Sequence, residues 1–302
     1  MNPETIDAQT LSSRLSSGHP PVLIDVRPAA AFARGHVPGA VNRCVFEVGF
    51  LEGMPSMAPG LAAAVCVYGQ CDDSQESRMA AEKLCRNGYS QVSDFRGGVE
   101  AWSAGGLPIT GLSSPPAAET AVPDGRLPID LEESRIRWTG RNLLNMHEGF
   151  LSLRSGHLDF QEGALKGGEF VIDMHTIRCA DLAGNPLHEV LVRHLMDHDF
   201  FDVALYPEAR FVITEAAALP GVEPGAPGLS VCGILTLKDV TAPVSFLATH
   251  GITADGKAAA QASFSIDRTR WNVKYGSGRL FRNLGAHLVN DLVELQLRIV
   301  TL

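Results

Sequence analysis

Two hydrophobic rhythms divide this chain. Up to about residue 110, apolar runs alternate with amphipathic stretches. "PVLIDVR" (21–27), "AAAVCVY" (62–68) and "QVSDF" (91–95) read as buried strands of a parallel sheet. Between the last two, "SQESRMAAEKLCRNGY" reads as a helix with Gly88 as its C-terminal stop. Asp73 or Ser74 is placed to cap its start, and Asp73 with Glu76 three residues on resembles a capping box. Strand–helix–strand order predicts a parallel α/β sheet. From residue 129 the rhythm changes to alternation and β-branched runs broken by turns, as in "RIRWTGRN", "GGEFVIDMHTI" and "DLVELQLRIVTL". Many short strands at that spacing predict an antiparallel sandwich or barrel. "HEVLVRHLMDHDFF" stands out as a short helical insert. The stretch "TGLSSPPAAETAVPDGRLP" (110–128) has no periodicity and reads as a linker. The expected organisation is therefore one domain over 1–110, a linker over 111–128 with the boundary near Pro123, and a second domain over 129–302.

Composition narrows the classes. At 302 residues the chain is long enough for two cores, and 45% apolar with 20% charged residues is ordinary for a globular protein. A formal charge of −9 with no dense basic run argues against nucleic acid as a partner. No run approaches the ~18 apolar residues of a membrane span, and the first residues, "MNPETIDAQTLSSRLSSGHPP", have no apolar core that a secretory signal would need. A cytoplasmic protein without an integral membrane segment is expected. The six cysteines (Cys44, Cys66, Cys71, Cys85, Cys179, Cys232) include no CxxC pair, so free thiols are expected rather than a disulfide framework or structural zinc site.

The loop "CDDSQES" (71–77) lies between a buried strand and a helix start, where backbone N–H groups converge and favour a thiolate. Asp72, Asp73 and Glu76 oppose that thiolate, each by roughly 1 kcal/mol in water-like dielectric at ~4 Å. "VLIDVRPAAAFARGHVPGAVN" and "DFRGGVEAW…GLP", flanking this loop in order, resemble the opening and closing signatures of rhodanese-like domains. The resemblance covers about residues 5–110. It implies a doubly wound α/β domain whose cysteine accepts a sulfane sulfur as a persulfide and passes it to a thiol acceptor or cyanide. Counting back from "AAEKL…NGY" places that cysteine at Cys71, with Ser77 closing a six-step loop. Two alternatives stay open: Cys66, inside the apolar strand run, and an alignment that puts Gly69 at the position and leaves no nucleophile. Asp72, Asp73, Ser74, Gln75 and Glu76 would support the loop. The place of Glu76 is commonly basic in active relatives, a departure that tells against thiosulfate turnover. Asp25 and Arg27 are expected to fix the loop after the first strand rather than catalyse. His36 is expected to satisfy local backbone, Trp102 to anchor the closing helix, and Cys44 and Cys85 to be filler.

In the second half, "IRWTGRN…MHEGFLSLRSGHLDF…GGEFVIDMHTI", "HLMDHDFFDVALYPEARFVIT", "GILTLKDVTAPVSF" and "IDRTRWNVKYGSG" resemble, in order, the YceI-like, polyisoprenoid-binding family. That resemblance implies an antiparallel, eight-stranded, lipocalin-like barrel holding a long-chain apolar ligand of isoprenoid or fatty-acid type, often as a homodimer. An eight-stranded barrel is wide enough for one slender ligand. Periodicity alone leaves a tunnel and a packed core equally open. His147, His175, Arg268 and Tyr275 are candidates to fix a head group, and Trp138 and Trp271 to flank the mouth. His194 and His198, four apart, with His188 before them, lack a fixed third ligand, so no metal is expected there. No catalytic constellation can be placed in this half. Two functions are in view: a sulfane-sulfur carrier or sulfurtransferase coupled to a lipid-binding barrel, and a non-catalytic lipid carrier whose first domain is a regulatory or docking module.

Overall fold

The computed structural model describes residues 2–111, 124–253 and 255–302. The chain divides into two compact units, Met1–Glu119 and Thr120–Leu302. In the first, the elements run β1 (Glu4–Ile6), α1 (Ala8–Leu15), β2 (Val22–Asp25), α2 (Ala29–Arg34), β3 (Val41–Asn42), α3 (Met54–Met57), β4 (Ala64–Tyr68), α4 (Glu76–Arg86), β5 (Gln91–Phe95) and α5 (Gly98–Ala104). The strands form one parallel sheet in the order β1-β5-β4-β2-β3. Successive side chains of a strand face opposite ways, and β4 packs on both sides. Val65 and Val67 join a core with Ile24, Val26 and Leu84, while Cys66 and Tyr68 join another with Leu23, Phe95 and Trp102. Both faces of β4 are thus covered, as a parallel sheet requires, and this central strand delivers the loop at the C-terminal end of the sheet.

The helix after that loop differs from expectation at its start. α4 has Gln75 as its N-cap with no side-chain cap bond, so neither Asp73 nor Ser74 caps it. Glu76 does not reach back to Asp73 as a capping box would; its carboxylate turns instead to the loop's own backbone. Gly88 does end the helix region, at φ +94, where a side chain would strain the backbone.

The second unit contains β6 (Gly125–Pro128), β7 (Arg135–Arg141), β8 (Met146–Gln161), β9 (Ala164–Cys179), α6 (Leu187–Met196), β10 (Glu208–Ala218), β11 (Leu229–Leu237), β12 (Val240–Ile252), β13 (Ala258–Asp267) and β14 (Leu292–Val300). Strands β7 to β14 close on themselves. Each pairs antiparallel with its neighbour in sequence, except that β14 returns to β7. The result is an eight-stranded antiparallel barrel. The two longest strands, β8 and β9, are joined through Glu162 (φ 54) and Gly163 (φ 71), the two positive-φ residues of a tight hairpin turn. Gly125–Pro128, read from the sequence as linker, is strand β6, paired with His157–Phe160 of β8. Four residues ending in proline on the tail of a longer strand carry no alternation to read. The boundary expected near Pro123 lies outside the described residues. Among the described residues, no helix is long and apolar enough to cross a membrane.

Candidate functional site

Two places in the chain gather candidate chemistry, one in each unit. In the first, the seven residues Gly69–Gln75 connect β4 to α4. Beneath them lies a buried ion pair. Arg27 Nη2 donates to Asp25 Oδ2 at 2.6 Å and to the Gly35 carbonyl at 2.6 Å, while Nη1 reaches Gln70 Oε1 at 2.7 Å. Both charges are withdrawn from water, Asp25 completely and Arg27 to 5% exposure. Such a pair is tolerable only when its remaining hydrogen-bonding groups are also satisfied. Asp25 and Arg27, expected to fix the loop after the first strand, thus tie the end of β2 to the Gly35 carbonyl and to Gln70. α5 meets the loop backbone directly: Val99 and Glu100 donate their N–H groups to the carbonyls of Gly69 and Gln70, each at 3.1 Å. Gly98, at φ +60, has to lack a side chain, since a Cβ there would strike the Gly69 carbonyl.

Cys71 is half-buried at the centre of this loop. Ser74 holds it in a turn: its hydroxyl accepts from the Cys71 N–H at 3.2 Å and donates to the Cys71 carbonyl at 2.8 Å. Asp72, Asp73 and Gln75 are exposed. The loop has no base of its own in sequence, but the fold supplies one: Arg96 Nε stands 3.8 Å from Asp72 Oδ1. Glu76 behaves differently. Its carboxylate accepts the Gln70 N–H at 2.6 Å and occupies the space where a Cβ on Gly69 would fall, 2.5 Å from Oε1. Gly69, which one alignment puts at the nucleophile's position and so leaves the domain without one, is thus a glycine covered by a carboxylate. Ser77 is 1% exposed in the first turn of α4 and has no well-formed hydrogen bond. It lies beside Asp94, whose carboxyl burial pushes above the ordinary range. Cys66 is fully buried, and desolvation pushes its thiol up to about 12. It stays a protonated core residue at neutral pH. His36 bonds the Phe32 carbonyl at 2.9 Å and stacks on that ring, and Trp102 donates to the Pro108 carbonyl, both in the local roles expected.

In the second unit the barrel encloses a cavity of about 620 Å³. Its wall is aliphatic and aromatic, including Leu153, Ile172, Val231 and Ile299 and the closely stacked Phe246 and Phe264, 4.2 Å between ring centres. Trp138, Arg141, His147, His194, Arg268, Tyr275 and Asn290 are among the residues around it that carry polar groups. Of the six residues read from the sequence as ligand contacts, the structure brings four to this cavity: Trp138, His147, Arg268 and Tyr275. Arg268, however, has little left to give a ligand. At 1% exposure it donates to the carbonyls of Asn290, Val273, Tyr275 and Val289, stitching the segment before β14 to the end of β13. Burial lowers its pKa.

The other two are corrected. His175 sits exposed on the outer face of β9, because its neighbours Met174 and Ile177 take the inward positions. Trp271 is 0% exposed in the short 3-10 turn Arg268–Trp271, with its indole N–H on the Leu235 carbonyl at 2.9 Å. It fills the core and does not flank a mouth. His194 meets Tyr275 and Phe200 edge-on, a packing role, and His198 pairs with Asp197 in the open. Cys179 and Asp181 were missed by sequence reasoning; the structure draws both to His147. Asp181 Oδ2 accepts from His147 Nδ1 at 2.9 Å, and Oδ1 accepts from the Cys179 thiol at 3.2 Å and the Glu148 N–H at 2.8 Å. His147 is too far from the other two along the chain for spacing to have given a signal.

A parallel α/β unit with a loop cysteine ahead of a helix, and a closed antiparallel barrel with an apolar interior, together define the class. Residues 128–301 match the YceI-like domain and residues 7–105 the rhodanese-like domain. The chain belongs to the YceI-like family and carries a rhodanese-like domain at its N-terminal side. A protein of Allochromatium vinosum named "Sulfurtransferase" is 31% identical over 104 residues, 34% of this chain and 92% of that protein. A UPF0312 protein of Pseudomonas putida is 32% identical over 115 residues, 38% of this chain; the chain spans 55% of its length. Among solved structures, a polyisoprenoid-binding domain from Saccharophagus degradans aligns with 59% of this chain and 98% of its own, at 15% identity and a TM-score of 0.43.

Proposed function

We propose that this protein carries a long-chain apolar molecule, of isoprenoid or fatty-acid type, in its C-terminal barrel, and that its N-terminal module takes up sulfane sulfur on Cys71. The single observation that carries the reading is the cavity of about 620 Å³ with its hydrocarbon wall. Apolar surface held against water costs about 25 cal/mol per Å², and a slender alkyl or isoprenoid chain removes that cost without asking for polar partners. Ligand sites of this size and character are the ordinary kind.

At the loop, the Cys71 thiolate attacks the outer sulfur of a persulfide donor, R–S–SH. A Cys71 S–S bond forms, the donor's S–S bond breaks, and the donor leaves as R–S⁻; the outer sulfur keeps its proton, so no oxidant is needed. A thiol acceptor removes the sulfur by the same exchange. Support comes from the half-buried position of Cys71 and from the relatives named as sulfurtransferases. The Glu76 carboxylate favours a neutral or protein-bound donor over an anionic one such as thiosulfate. The same carboxylate, seated on the Gln70 N–H, favours a second reading in which the module is a docking or regulatory surface without turnover. Six free cysteines suit the reducing cytoplasm on either reading.

Mass spectrometry of freshly purified protein, native and then denatured, before and after a persulfide donor, tests both halves. A gain of one sulfur on Cys71 and release of a long-chain molecule on denaturation are expected. A released molecule without sulfur uptake would leave the second reading, and absence of both would overturn the proposal.

A further inference from the structure

The best-formed cluster of metal-ligating side chains among the described residues is used by neither reading. His147 at the start of β8, Cys179 at the end of β9 and Asp181 just beyond it hold one imidazole nitrogen, one thiol sulfur and one carboxylate oxygen within 4.8 Å of one another. The backbone brings them together. Gly149 lies opposite Cys179 across the β8–β9 seam, and a Cβ on Gly149 would collide with the Arg178 carbonyl and the Trp138 ring. Only glycine lets the end of β9 press this closely onto β8. The approach is then fixed from both sides, by Ala180 N–H on the Glu148 carbonyl at 2.7 Å and by Glu148 N–H on Asp181 at 2.8 Å. From α6, His188 Nε2 meets the Cys179 carbonyl at 3.0 Å. The donors therefore sit on a hydrogen-bonded frame of strand ends rather than on a free loop.

We infer that His147, Cys179 and Asp181 form a binding site for a soft-to-borderline divalent cation of the zinc type. One nitrogen, one sulfur and one oxygen are the donors such a cation takes in tetrahedral sites. The side chains already stand close to the positions required. Asp181 accepts from both His147 and Cys179, so a cation entering between them replaces two hydrogen bonds by three coordinate bonds. The thiol gives up its proton to solvent as the sulfur–metal bond forms, the imidazole binds as the neutral ring, and nothing is oxidised or reduced. One thiolate and one carboxylate then balance the two positive charges. Three protein donors leave a fourth position open. His147 also lines the barrel cavity, which would let that position take a water or an oxygen of a bound molecule's head group.

The test uses the full chain, reduced and stripped of metal, titrated with Co²⁺ and followed by absorbance, with no lipid added. A sulfur-to-cobalt charge-transfer band in the near ultraviolet, with visible bands of tetrahedral intensity, should saturate at one equivalent. Zn²⁺ should displace it. The band should vanish in Cys179→Ser and persist in Cys71→Ser, which separates this site from the loop thiol. Cys179 is buried, so a second variant guards against simple misfolding. His147→Gln, at a partly exposed position, should weaken Co²⁺ binding ~100-fold, since even outer-shell changes at metal sites cost 10–100-fold, while the metal-free protein still unfolds in one cooperative transition. No band, a band that survives Cys179→Ser, or an affinity indifferent to His147→Gln would each overturn the inference.

Discussion

The loop after β4 and the interior of the barrel are opposite kinds of site. In the loop nearly every polar group near the cysteine already has a partner within the chain: Gln70 is held by Arg27 and Glu76, Cys71 by Ser74, and Asp72 stands beside Arg96. A reagent arriving there has to compete with contacts already made. In the barrel the wall is mostly hydrocarbon, and its two arginines are already engaged, Arg268 by four backbone carbonyls and Arg141 by the Glu294 carboxylate. Whatever enters the barrel meets chiefly shape and apolar surface. Selectivity in the first site is thus electrostatic and in the second steric, and the two should fail under different perturbations.

The largest effects should come from the two buried arginines. Arg27→Ala leaves Asp25 fully buried without its cation, and removing one partner of such a pair costs about 3–5 kcal/mol. Arg268→Ala removes a buried side chain that donates to four carbonyls and stands beside Asp291, and a loss of the same order, about 3–5 kcal/mol, is expected. Urea unfolding measures both. Lysine should rescue neither, because one ammonium cannot match a planar fork that reaches carboxylate and carbonyls together. A loss below about 1 kcal/mol in either variant would mean that its buried pairing contributes little to stability.

Next in size is the filling of the barrel. Ala248 is 3% exposed and lines the cavity; Ala248→Phe should reduce the long-chain molecule that co-purifies by at least ~10-fold, with an overpacking cost of about 1–3 kcal/mol. Ala262→Leu, a smaller insertion into the same wall, should reduce it less and keep the fold if the first variant does not. Leu247→Ala, on the outer face of β12, should leave the ligand in place. Equal loss from Leu247→Ala would show that the ligand sits elsewhere. Neither barrel variant should change sulfur uptake at Cys71.

A smaller change is expected from Glu76→Gln. Removing one unit charge near a reacting anion in water-like surroundings is worth about 1 kcal/mol, so uptake of sulfur from thiosulfate should rise roughly fivefold. Uptake from a neutral persulfide donor should move less. Added salt should speed the original protein towards the variant's rate, since screening does part of what the substitution does. A variant that is no faster at low salt would remove the electrostatic account of this loop.

How far the sequence disclosed these sites depends on the range of the forces that build them. The longer strands of both units were legible because apolar runs and the alternation of apolar and polar positions are local, whereas the short β1, β3 and β6 carry too few residues to show either. So was the stop at Gly88, which one residue's φ decides. The six-step spacing from Cys71 to Ser77 placed the loop, but not its surroundings. Arg96 comes from beyond β5 to meet Asp72, and Glu76 turns back on Gln70 rather than capping its own helix, so both are products of tertiary approach. Trp271 and His175 were misplaced for a related reason. A tryptophan in a polar stretch reads as a rim residue until the 3-10 turn buries it, and the inward phase of β9 is settled only by its pairing. The cavity is the hardest case. An alternating barrel strand looks the same whether the space it faces is filled by its neighbours or left for a ligand, because that depends on the summed volume of eight strands.

Cys66 gives the smallest expected effect on sulfur uptake and, set beside Cys71, the sharpest control. Cys71 and Cys66 are close in sequence, yet the alternation of β4 sends Cys66 into the core with Tyr68 and Phe95. Its thiol, pushed up to about 12 by burial, holds its proton across the neutral range, and a thiol cannot attack a persulfide as a thiolate does. Cys66→Ala should therefore leave sulfur uptake unchanged, while Cys71→Ser abolishes it. Uptake lost only in Cys66→Ala would reverse the assignment and move the site into the strand. The same burial has a consequence at high pH. The native state keeps this proton up to about 12, whereas in the unfolded chain the thiol releases it near its ordinary value of 9.0. Between those two values the unfolded state binds fewer protons, so native stability falls as pH rises through that window. Cys66→Ala should flatten that fall and Cys71→Ser should not, which distinguishes the buried thiol from the reactive one without any sulfur chemistry.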